Sequence, residues 1–350
     1  MGNKFRICLL TILLTFGWSS PFLWGSDVKT LSGLRDPERS RILLEQGKKE
    51  GVLNLYTTVG MGVSQPVASA FEKKYGIRVN LTRAGSERIM TRFVAEVRAG
   101  KVSADIMEND AGELTWLGNQ GFLELVSSPQ LERYPDNIGG PNRLWFGSRY
   151  SFYVPGYNTR LVSPQDVPKT YEDLLNPKWK GKMIIEAEDV DWFAALWDYW
   201  GERKASEYFR KLGELDLLVR RGHTNMTQLL AAGEAPLAIT VYNHEVERQK
   251  KSGAPIEWVA LEPVVARLGG VAVVKNAPHP AMALLYFDFI FSVEGQNVLR
   301  NLGRSPTDLQ VGSELRRLSE GFKFIMVNPL LMAERRKELN SLFQKILKIH

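Results

Sequence analysis

Short apolar segments alternate with amphipathic segments along the chain, and this alternation constrains the fold more than any other feature of the sequence. In the first half, the segments GVLNLYTTVG, IRVNLTRA and SADIMEND are predicted strands, and a helical pattern follows each of them. Gly76 and Gly100 stand where the first two helices should end. Because such alternation is typical of a parallel sheet covered by helices, we expect an α/β domain.

Hydroxyl side chains near the predicted helix starts are candidates for N-terminal caps. Ser64 is expected to cap the first helix, with Pro66 in its first turn, and Ser86 is expected to cap the second. Thr224 is a similar candidate in the second half of the chain. The amides at such a helix start can also hold an anion, so Ser86 and Thr224 have a binding interpretation as well.

The second half of the chain repeats the α/β pattern. The aromatic segment YSFYVPGYNTRLV is a predicted strand interrupted at Pro155, and APLAITVYNHE is a predicted strand that ends at Tyr242. A long apolar helix with a break near Ser292 and a final amphipathic helix follow. A chain of 350 residues is long enough for about two domains, so we expect two α/β units.

The first 26 residues have the composition of a secretory signal, because a basic start is followed by an apolar run and then by small residues. We expect cleavage near Gly25 or Ser26 and export of the mature chain. The alternative is an uncleaved membrane anchor, but the apolar run ICLLTILLTF is shorter than the about 20 residues that a span needs. The only cysteine, Cys8, lies in this segment, so no disulfide is expected in the mature chain.

Polar side chains stand at or near the carboxyl ends of predicted strands, where α/β sheets bind their ligands. The candidates for ligand binding are Tyr56, Thr57, Thr58, Ser86, Asp110, Trp192, His223, Thr224, Tyr242 and His244. The net charge of +6 comes without long lysine or arginine runs, so no nucleic-acid partner is expected. A small ligand in a cleft is the expected partner.

Several candidates also have a structural interpretation. Asp110 faces a cleft or caps the next helix, and Tyr242 faces the cleft or covers the edge of the core. His244 shares the face of Tyr242 if the strand continues, and turns away if a helix starts there. His223 binds an anion or belongs to a plain helix start. Trp192 offers an aromatic face beside acidic residues to a cationic ligand, or belongs to the core.

Six segments together resemble a known family. They are LNLYTTVG, AFEKKYGIRV, GSERIMTRFVAEVRAGKVSADI, LLNPKWKGKM, AAGEAPLAI and VVKNAPHPAMALLYFDFIFSVEGQ. In order and spacing they look like type 2 periplasmic solute-binding proteins of ABC importers, and most of all like the ferric-ion-binding branch. The resemblance covers nearly all of the mature chain.

The resemblance implies a two-lobed fold in which each lobe is a mixed sheet flanked by helices. Two crossover strands, near residues 150–157 and 263–271, would join the lobes. Residues 27–150 would form the first part of lobe 1, residues 151–264 lobe 2, and residues 265–350 the return segment of lobe 1 with the C-terminal helices. A periplasmic monomer would close on its ligand by a hinge motion and dock onto a membrane permease.

The resemblance also implies a metal site. The ferric branch uses two adjacent tyrosines, a glutamate and often a histidine, and these positions fall on Tyr242 and Asn243, on Asp110 and on Gly60. Tyr242 and Asp110 are therefore candidate metal ligands. The anion-binding loop of the branch falls on the acidic residues 186–191. Fe(III), with or without an anion, is a candidate transported ligand, and no other cofactor is expected.

Three alternative functions are compatible with this sequence. A small organic solute, such as a carboxylate, phosphonate or amine, could replace iron in the cleft. A sensor would use the cleft to signal rather than to feed a permease. An exported enzyme would use Asp110 and a histidine, but the sequence contains neither a G-x-S-x-G elbow nor an H-E-x-x-H helix.

Overall fold

A computed structural model of the protein describes residues 27–349. Its strands are β1 (Val52–Thr57), β2 (Arg78–Arg83), β3 (Ile106–Asp110), β4 (Phe146–Asn158), β5 (Met183–Glu186), β6 (Leu218–Arg220), β7 (Leu237–Tyr242), β8 (Ile256–Trp258), β9 (Val264–Val273), β10 (Ser305–Pro306) and β11 (Phe324–Met326). Its α-helices are α1 (Val28–Ser32), α2 (Glu38–Glu50), α3 (Met61–Tyr75), α4 (Ser86–Arg98), α5 (Ala111–Asn119), α6 (Val190–Trp200), α7 (Glu202–Gly213), α8 (His223–Ala232), α9 (Asn243–Lys251), α10 (Pro280–Phe291), α11 (Val293–Asn301) and α12 (Pro329–Leu347). The predicted signal segment, with Cys8 and the cleavage position, lies outside the described residues.

One mixed sheet runs through the molecule in the order β2-β1-β3-β9-β4-β7-β5-β6. β1 pairs in parallel with β2 and β3, and β5 pairs in parallel with β6 and β7. The long strands β4 and β9 pair with each other in antiparallel orientation at the centre. The predicted α/β fold is confirmed. The lobe boundaries at residues 150 and 264 stay predictions.

Each end of the sheet has its own aromatic core, because the helices turn their apolar faces toward the strands. On the side of β1, Phe71 of α3 packs edge-on against Tyr286 of α10, with ring centroids 5.5 Å apart. On the side of β5, Phe193 of α6 lies 4.5 Å from Phe209 of α7 and 5.6 Å from Phe343 of α12. All five rings are buried. Burial of each such side chain contributes about 1.5–3 kcal/mol to folding.

The helix starts differ from the predicted caps. Ser64, Ser86 and Thr224 do not cap, because glycine occupies the N-cap position of α3, α4 and α8 (Gly60, Gly85 and Gly222). Glycine is itself a favourable N-cap residue, and the hydroxyl residues lie inside the helices. Ser64 donates a hydrogen bond back to the carbonyl of Gly60 at 3.3 Å. Pro66 consequently lies inside α3 rather than in its first turn.

The aromatic strand begins and ends four residues earlier than the predicted segment 150–162, and it is not interrupted at Pro155. β4 runs through this residue, and its register with β7 shifts between Val154 and Gly156. An irregularity of this kind accommodates a proline, which has no amide hydrogen to donate to the ladder. The predicted break near Ser292 is confirmed, because this residue ends α10 and its hydroxyl accepts a hydrogen bond from the amide of Gly295 in α11.

The last helix contacts helices at both ends of the sheet. α12 contacts α5, which follows β3, and it also contacts α6 and α7, which follow β5. Its Phe343 and Leu347 belong to the same apolar cluster as Phe193. α12 therefore packs against helices from both ends of the sheet. Within residues 27–349, no helix combines the length and apolar composition that crossing a membrane requires.

Candidate functional site

The ends of β3 and β7 meet beside the middle of β9, and polar side chains from all three strands converge there. Asp110 ends β3, Tyr242 ends β7, and Arg267 lies within β9. Nη1 of Arg267 lies 2.8 Å from Oδ2 of Asp110 and 3.4 Å from Oδ2 of Asp191 in the first turn of α6. Nη2 of Arg267 donates a hydrogen bond to the hydroxyl of Tyr242. Three oxygen atoms therefore surround one guanidinium group.

Two tyrosine rings line the same point. The rings of Tyr153 on β4 and Tyr242 lie 5.2 Å apart, and the guanidinium of Arg267 lies 5.6 Å and 5.3 Å from their centroids. Burial raises the pKa of Tyr242, and the positive charge of Arg267 opposes this rise in part. Burial also raises the pKa of Tyr153. Both phenols are therefore neutral near pH 7 unless a metal ion displaces a proton.

Ion pairs continue from this point to the C-terminal helix. Oδ1 of Asp191 lies 2.9 Å from Nη1 of Arg336 on α12, and Nη2 of Arg336 lies 3.2 Å from Oε1 of Glu113 on α5. Burial raises the pKa of Glu113 to about 7, although Arg336 favours its charged form. We refer to the series Asp110, Arg267, Asp191, Arg336 and Glu113 as the charge network. It joins β3 and α5 to α6 and α12.

Two carboxylates and one imidazole form a second cluster beside Tyr242. Glu186 ends β5, Asp189 precedes α6 and His223 begins α8. One ligand atom from each of the three lies within 4.8 Å of the other two. Nε2 of His223 lies 3.1 Å from Oδ1 of Asp189, and the rings of His223 and Tyr242 lie 3.9 Å apart. Burial opposes protonation of His223, but Asp189 and Glu186 outweigh it and raise its pKa.

A third group, on the other side of Tyr242, is cationic. His244 lies in the first turn of α9, but it does not turn away from Tyr242 as expected for a helix start: its ring is buried and stacks 5.3 Å from that of Tyr242. Its Nε2 contacts Nη1 of Arg304, and Nη2 of Arg304 donates a hydrogen bond to the hydroxyl of Ser151 at 3.0 Å. Burial and the nearby Arg149 lower the pKa of Arg304 to about 9. Neither arginine has a carboxylate partner among the residues that the structure describes.

The three candidates at the end of β1 make their contacts elsewhere. Tyr56 donates to Oε1 of Glu96 at 2.8 Å and packs in the core, where burial raises its pKa to about 12. Thr57 donates to Oε2 of Glu108 at 2.7 Å, and the amide of Thr58 donates to the carbonyl of Glu108 at 3.2 Å. These contacts connect β1 with α4 and β3, so they position the sheet and do not reach Arg267.

Of the three remaining candidates, one contacts the charge network, one lies in the core and one is exposed. Ser86 donates to Oε1 of Glu113 at 3.1 Å, so it contacts the charge network from α4. Trp192 is 2% exposed and packs edge-on against Phe209, which places it in the core rather than leaving an open aromatic face. Thr224 is exposed on α8, next to His223.

Arg267, Arg336 and Arg304 are not among the residues that the sequence predicts for this site. A signal exists for Arg267, because it interrupts the otherwise apolar strand VVARLGGVAV, and a charge in a buried strand is almost always paired. Arg336 stands among several charged residues of an amphipathic helix, and nothing in the pattern separates it from them. Arg304 lies in a short loop, where arginine is common.

Comparison with known sequences gives related proteins over most of the chain. The sequence profile of a family described as bacterial extracellular solute-binding protein matches residues 84–328. Iron uptake protein A1 of Synechocystis sp. (strain ATCC 27184 / PCC 6803 / Kazusa) is 26% identical over 268 residues, which are 71% of this chain and 73% of that protein. The Fe(3+)-binding periplasmic protein of Serratia marcescens is 22% identical over 240 residues, 66% of this chain and 70% of its own.

Solved structures show the same fold. Iron-bound HitA from Pseudomonas aeruginosa superimposes with a TM-score of 0.75 at 21% identity, over 84% of this chain and 99% of HitA. The periplasmic binding protein AfuA from Actinobacillus pleuropneumoniae, with exogenous fructose-6-phosphate bound, has a TM-score of 0.75 at 24% identity, over 86% of this chain and 99% of AfuA. With the type 2 periplasmic binding fold and a family match over most of its length, this chain belongs to the bacterial extracellular solute-binding proteins.

Proposed function

We propose that this chain is the periplasmic binding component of an ABC-type importer and that it captures ferric ion. The observation that carries the proposal is the arrangement of Asp110, Asp191 and Tyr242 around one positive charge, the guanidinium of Arg267. Oxygen atoms that surround one cation can hold another when the arginine withdraws. The names of two relatives, iron uptake protein A1 and the Fe(3+)-binding periplasmic protein, support iron as the ligand.

Ferric ion is a hard cation that prefers anionic oxygen ligands. Asp110 and Tyr242 are the proposed metal ligands, and Asp191 adds a third oxygen donor at the same point. Tyr242 must lose its proton to bind, because the phenolate is the form that coordinates a metal. Asn243, at the neighbouring position, cannot supply a second phenolate, and its buried amide donates to the carbonyl of Leu318 at 2.8 Å.

Export, closure around the ion and docking onto a permease are the three proposed steps of the transport function. Residues 1–26 direct export and are removed, and residues 27–150 with 265–350 close against residues 151–264 around the ion. The closed monomer then docks onto the permease of the importer. The proposal assigns neither a catalytic step nor a nucleic-acid partner to the chain.

A small organic anion, a carboxylate or a phosphonate, is the second candidate ligand. One observation favours it: Arg149 and Arg304 are 6% and 8% exposed and form no ion pair within residues 27–349. Removing two guanidinium groups from water is costly unless negative charge accompanies them. A bound anion would supply that charge. AfuA, which shares the fold, holds fructose-6-phosphate in its solved structure.

A thermal-shift screen of the purified mature protein separates the two candidates. The panel contains ferric citrate, other ferric chelates, carboxylates and phosphonates. A ligand present at 100 times its dissociation constant stabilises the folded state by about 2.7 kcal/mol, which is readily measured. We expect a shift with ferric ion, together with the visible absorption of a tyrosinate–iron bond.

Two substitutions then test the proposed ligands. Tyr242→Phe and Asp110→Asn should each weaken ferric binding at least about tenfold, or about 1.4 kcal/mol, because each removes a coordinating oxygen or its charge. Tyr56→Phe is the matched control, since this buried tyrosine contacts Glu96 instead of the site. Unchanged ferric affinity in both variants would refute the proposed site. A shift with an organic anion alone, abolished by Arg149→Gln, would establish the second candidate.

A further inference from the structure

We propose that Glu186, Asp189 and His223 form a binding site for a divalent transition-metal ion, separate from the site at Asp110 and Tyr242. The two sites share no ligand, so the proposal stands independently of ferric capture. These three side chains are the one group of at least three potential metal ligands found within the described residues 27–349. We refer to them as the triad.

The backbone brings the triad together at the end of a parallel strand pair. β5 and β6 are paired, with Glu186 opposite Arg220; Asp189 lies in the loop after β5, and His223 begins α8 after β6. Gly222 precedes His223 with φ of 86°, a left-handed conformation that favours glycine. In this conformation the amide of Gly222 donates to Oε1 of Glu186 at 2.9 Å. The turn at Gly222 therefore holds the carboxylate of Glu186 and also positions His223 beside it.

The imidazole of His223 is oriented for coordination through Nε2. Its Nδ1 lies 3.2 Å from the carbonyl oxygen of Thr240. A carbonyl can accept but not donate, so Nδ1 carries a hydrogen, and Nε2 lies 3.1 Å from Oδ1 of Asp189, a contact that requires a hydrogen on Nε2 unless a metal ion replaces it. Metal-binding histidines commonly donate their second ring N–H to a carbonyl or carboxylate, which holds the other nitrogen toward the metal.

The carboxylates supply the second, independent observation. Asp189 is 2% exposed, and its Oδ2 is buried with no hydrogen-bond partner among the described residues. An ionised oxygen left without a partner in the interior is unfavourable, and a cation at this place would satisfy it. Both oxygens of Glu186 accept backbone amides, from Gly222 and Glu188, which hold the group in place.

The donor set indicates the class of metal. One imidazole and two carboxylates suit zinc, cobalt, manganese or ferrous ion, whereas magnesium and calcium prefer oxygen ligands alone. Three protein ligands also leave an open position on a four-coordinate ion. The arginine closest in sequence, Arg221, is exposed and pairs with Glu188, so it does not neutralise the triad. A divalent ion would balance the two carboxylates.

Cobalt(II) is the probe for this site, because its visible spectrum reports coordination directly. Titration of the purified mature protein should show one tight site with new visible bands, confirmed by calorimetry. His223→Ala and Asp189→Asn should each weaken cobalt binding at least about tenfold. His279→Ala is the matched control, since His279 pairs with Asp105 at 2.9 Å but belongs to no triad in the described part of the chain.

Further variants keep the test decisive. Glu186→Gln retains an oxygen that can accept a backbone amide, so it should fold even if His223→Ala does not, and it should also weaken cobalt binding. The double variant Asp110→Asn/Tyr242→Phe should lose ferric binding and keep cobalt binding. Absence of cobalt binding, or affinity unchanged in every triad variant, would overturn the proposal. Loss of cobalt binding in the double variant would show one shared site and would overturn the separate one.

Discussion

At the scale of single residues, the buried arginines of this protein differ in what they contact. Arg39 on α2 is fully buried and forms two hydrogen bonds with Asp288 of α10, at 2.7 Å and 3.1 Å. Arg267 is held by carboxylates at the proposed ligand site, whereas Arg149 and Arg304 have no acidic partner within residues 27–349. Removal of one partner from a buried ion pair is destabilising because it leaves an uncompensated charge, and a buried arginine without an acidic partner is a candidate for binding an anion.

Arg39→Met should lower the free energy of unfolding by about 3–5 kcal/mol, because it leaves Asp288 buried without its positive partner. Urea denaturation of the mature protein measures this loss. Arg41→Met on the same helix is the control, since Arg41 is 60% exposed and its pair with Glu45 at 3.4 Å contributes little. Equal stability of the two variants would contradict the structural role of the Arg39–Asp288 pair.

At the scale of elements, two glycines let α12 approach its neighbours. A methyl group on Gly213 at the end of α7 would lie 2.5 Å from the carbonyl oxygen of Ile346. A methyl group on Gly112 of α5 would lie 2.7 Å from Cβ of Met332. Both distances are shorter than a normal contact, so the position of α12, and with it that of Arg336, depends on glycine at these two places.

Gly213→Ala should destabilise the protein by about 1–3 kcal/mol, because the new methyl group meets backbone that cannot move aside locally. The change in urea midpoint at a constant m-value would measure it. Gly62→Ala within α3 is the matched control: apart from its chain neighbours and the adjacent backbone of α3, no atom lies within 4 Å of the added methyl, and alanine favours a helix by roughly 0.5–1 kcal/mol. A stabilising Gly213→Ala would show that α12 is not packed as described.

At the scale of the whole molecule, the charge network joins elements at the β3 end of the sheet to elements at the β5 end. Arg336 alone contacts both Glu113 of α5 and Asp191 of α6. Asp191 also contacts Arg267, which holds Asp110 at the end of β3. These bonds join residues 27–150 and 265–350 to residues 151–264, the parts of the chain predicted to form separate lobes, so we expect them to favour a closed arrangement.

Arg336→Gln should increase the radius of gyration of the ligand-free protein in solution. The substitution removes ion pairs that we expect to stabilise the closed form, so a larger fraction of the molecules would be open. Small-angle X-ray scattering would measure the change from the roughly 20 Å expected of a compact chain of this length. Arg335→Gln is the control, since this neighbouring arginine pairs with Glu338 on the exposed side of α12. Identical scattering from both variants would show that the network does not control closure.

Local patterns in the sequence are sufficient to predict much of this fold. The alternation of strands and helices, the ends of β3 at Asp110 and of β7 at Tyr242, and the break at Ser292 all follow from periodicity and from turn residues. These features depend on neighbours within a few positions. Helix starts are the exception, because glycine and serine both suit an N-cap and the local sequence does not distinguish them. The hydroxyl of Ser86 instead contacts Asn109 and Glu113, which are distant in the sequence.

The sequence by itself determined the fold class and the ends of β3 and β7, and with its family resemblance it indicated the candidate pair Asp110 and Tyr242. Tertiary structure alone decided what surrounds that pair. Asp191 contacts Arg267 across 76 positions of the chain and Arg336 across 145, and no local pattern reports such a contact. The tertiary structure also decided the contact between His223 and Asp189, because this contact depends on how β5 and β6 pair. Periodicity describes which face of an element is buried, but the chemistry of a site depends on which distant faces come together.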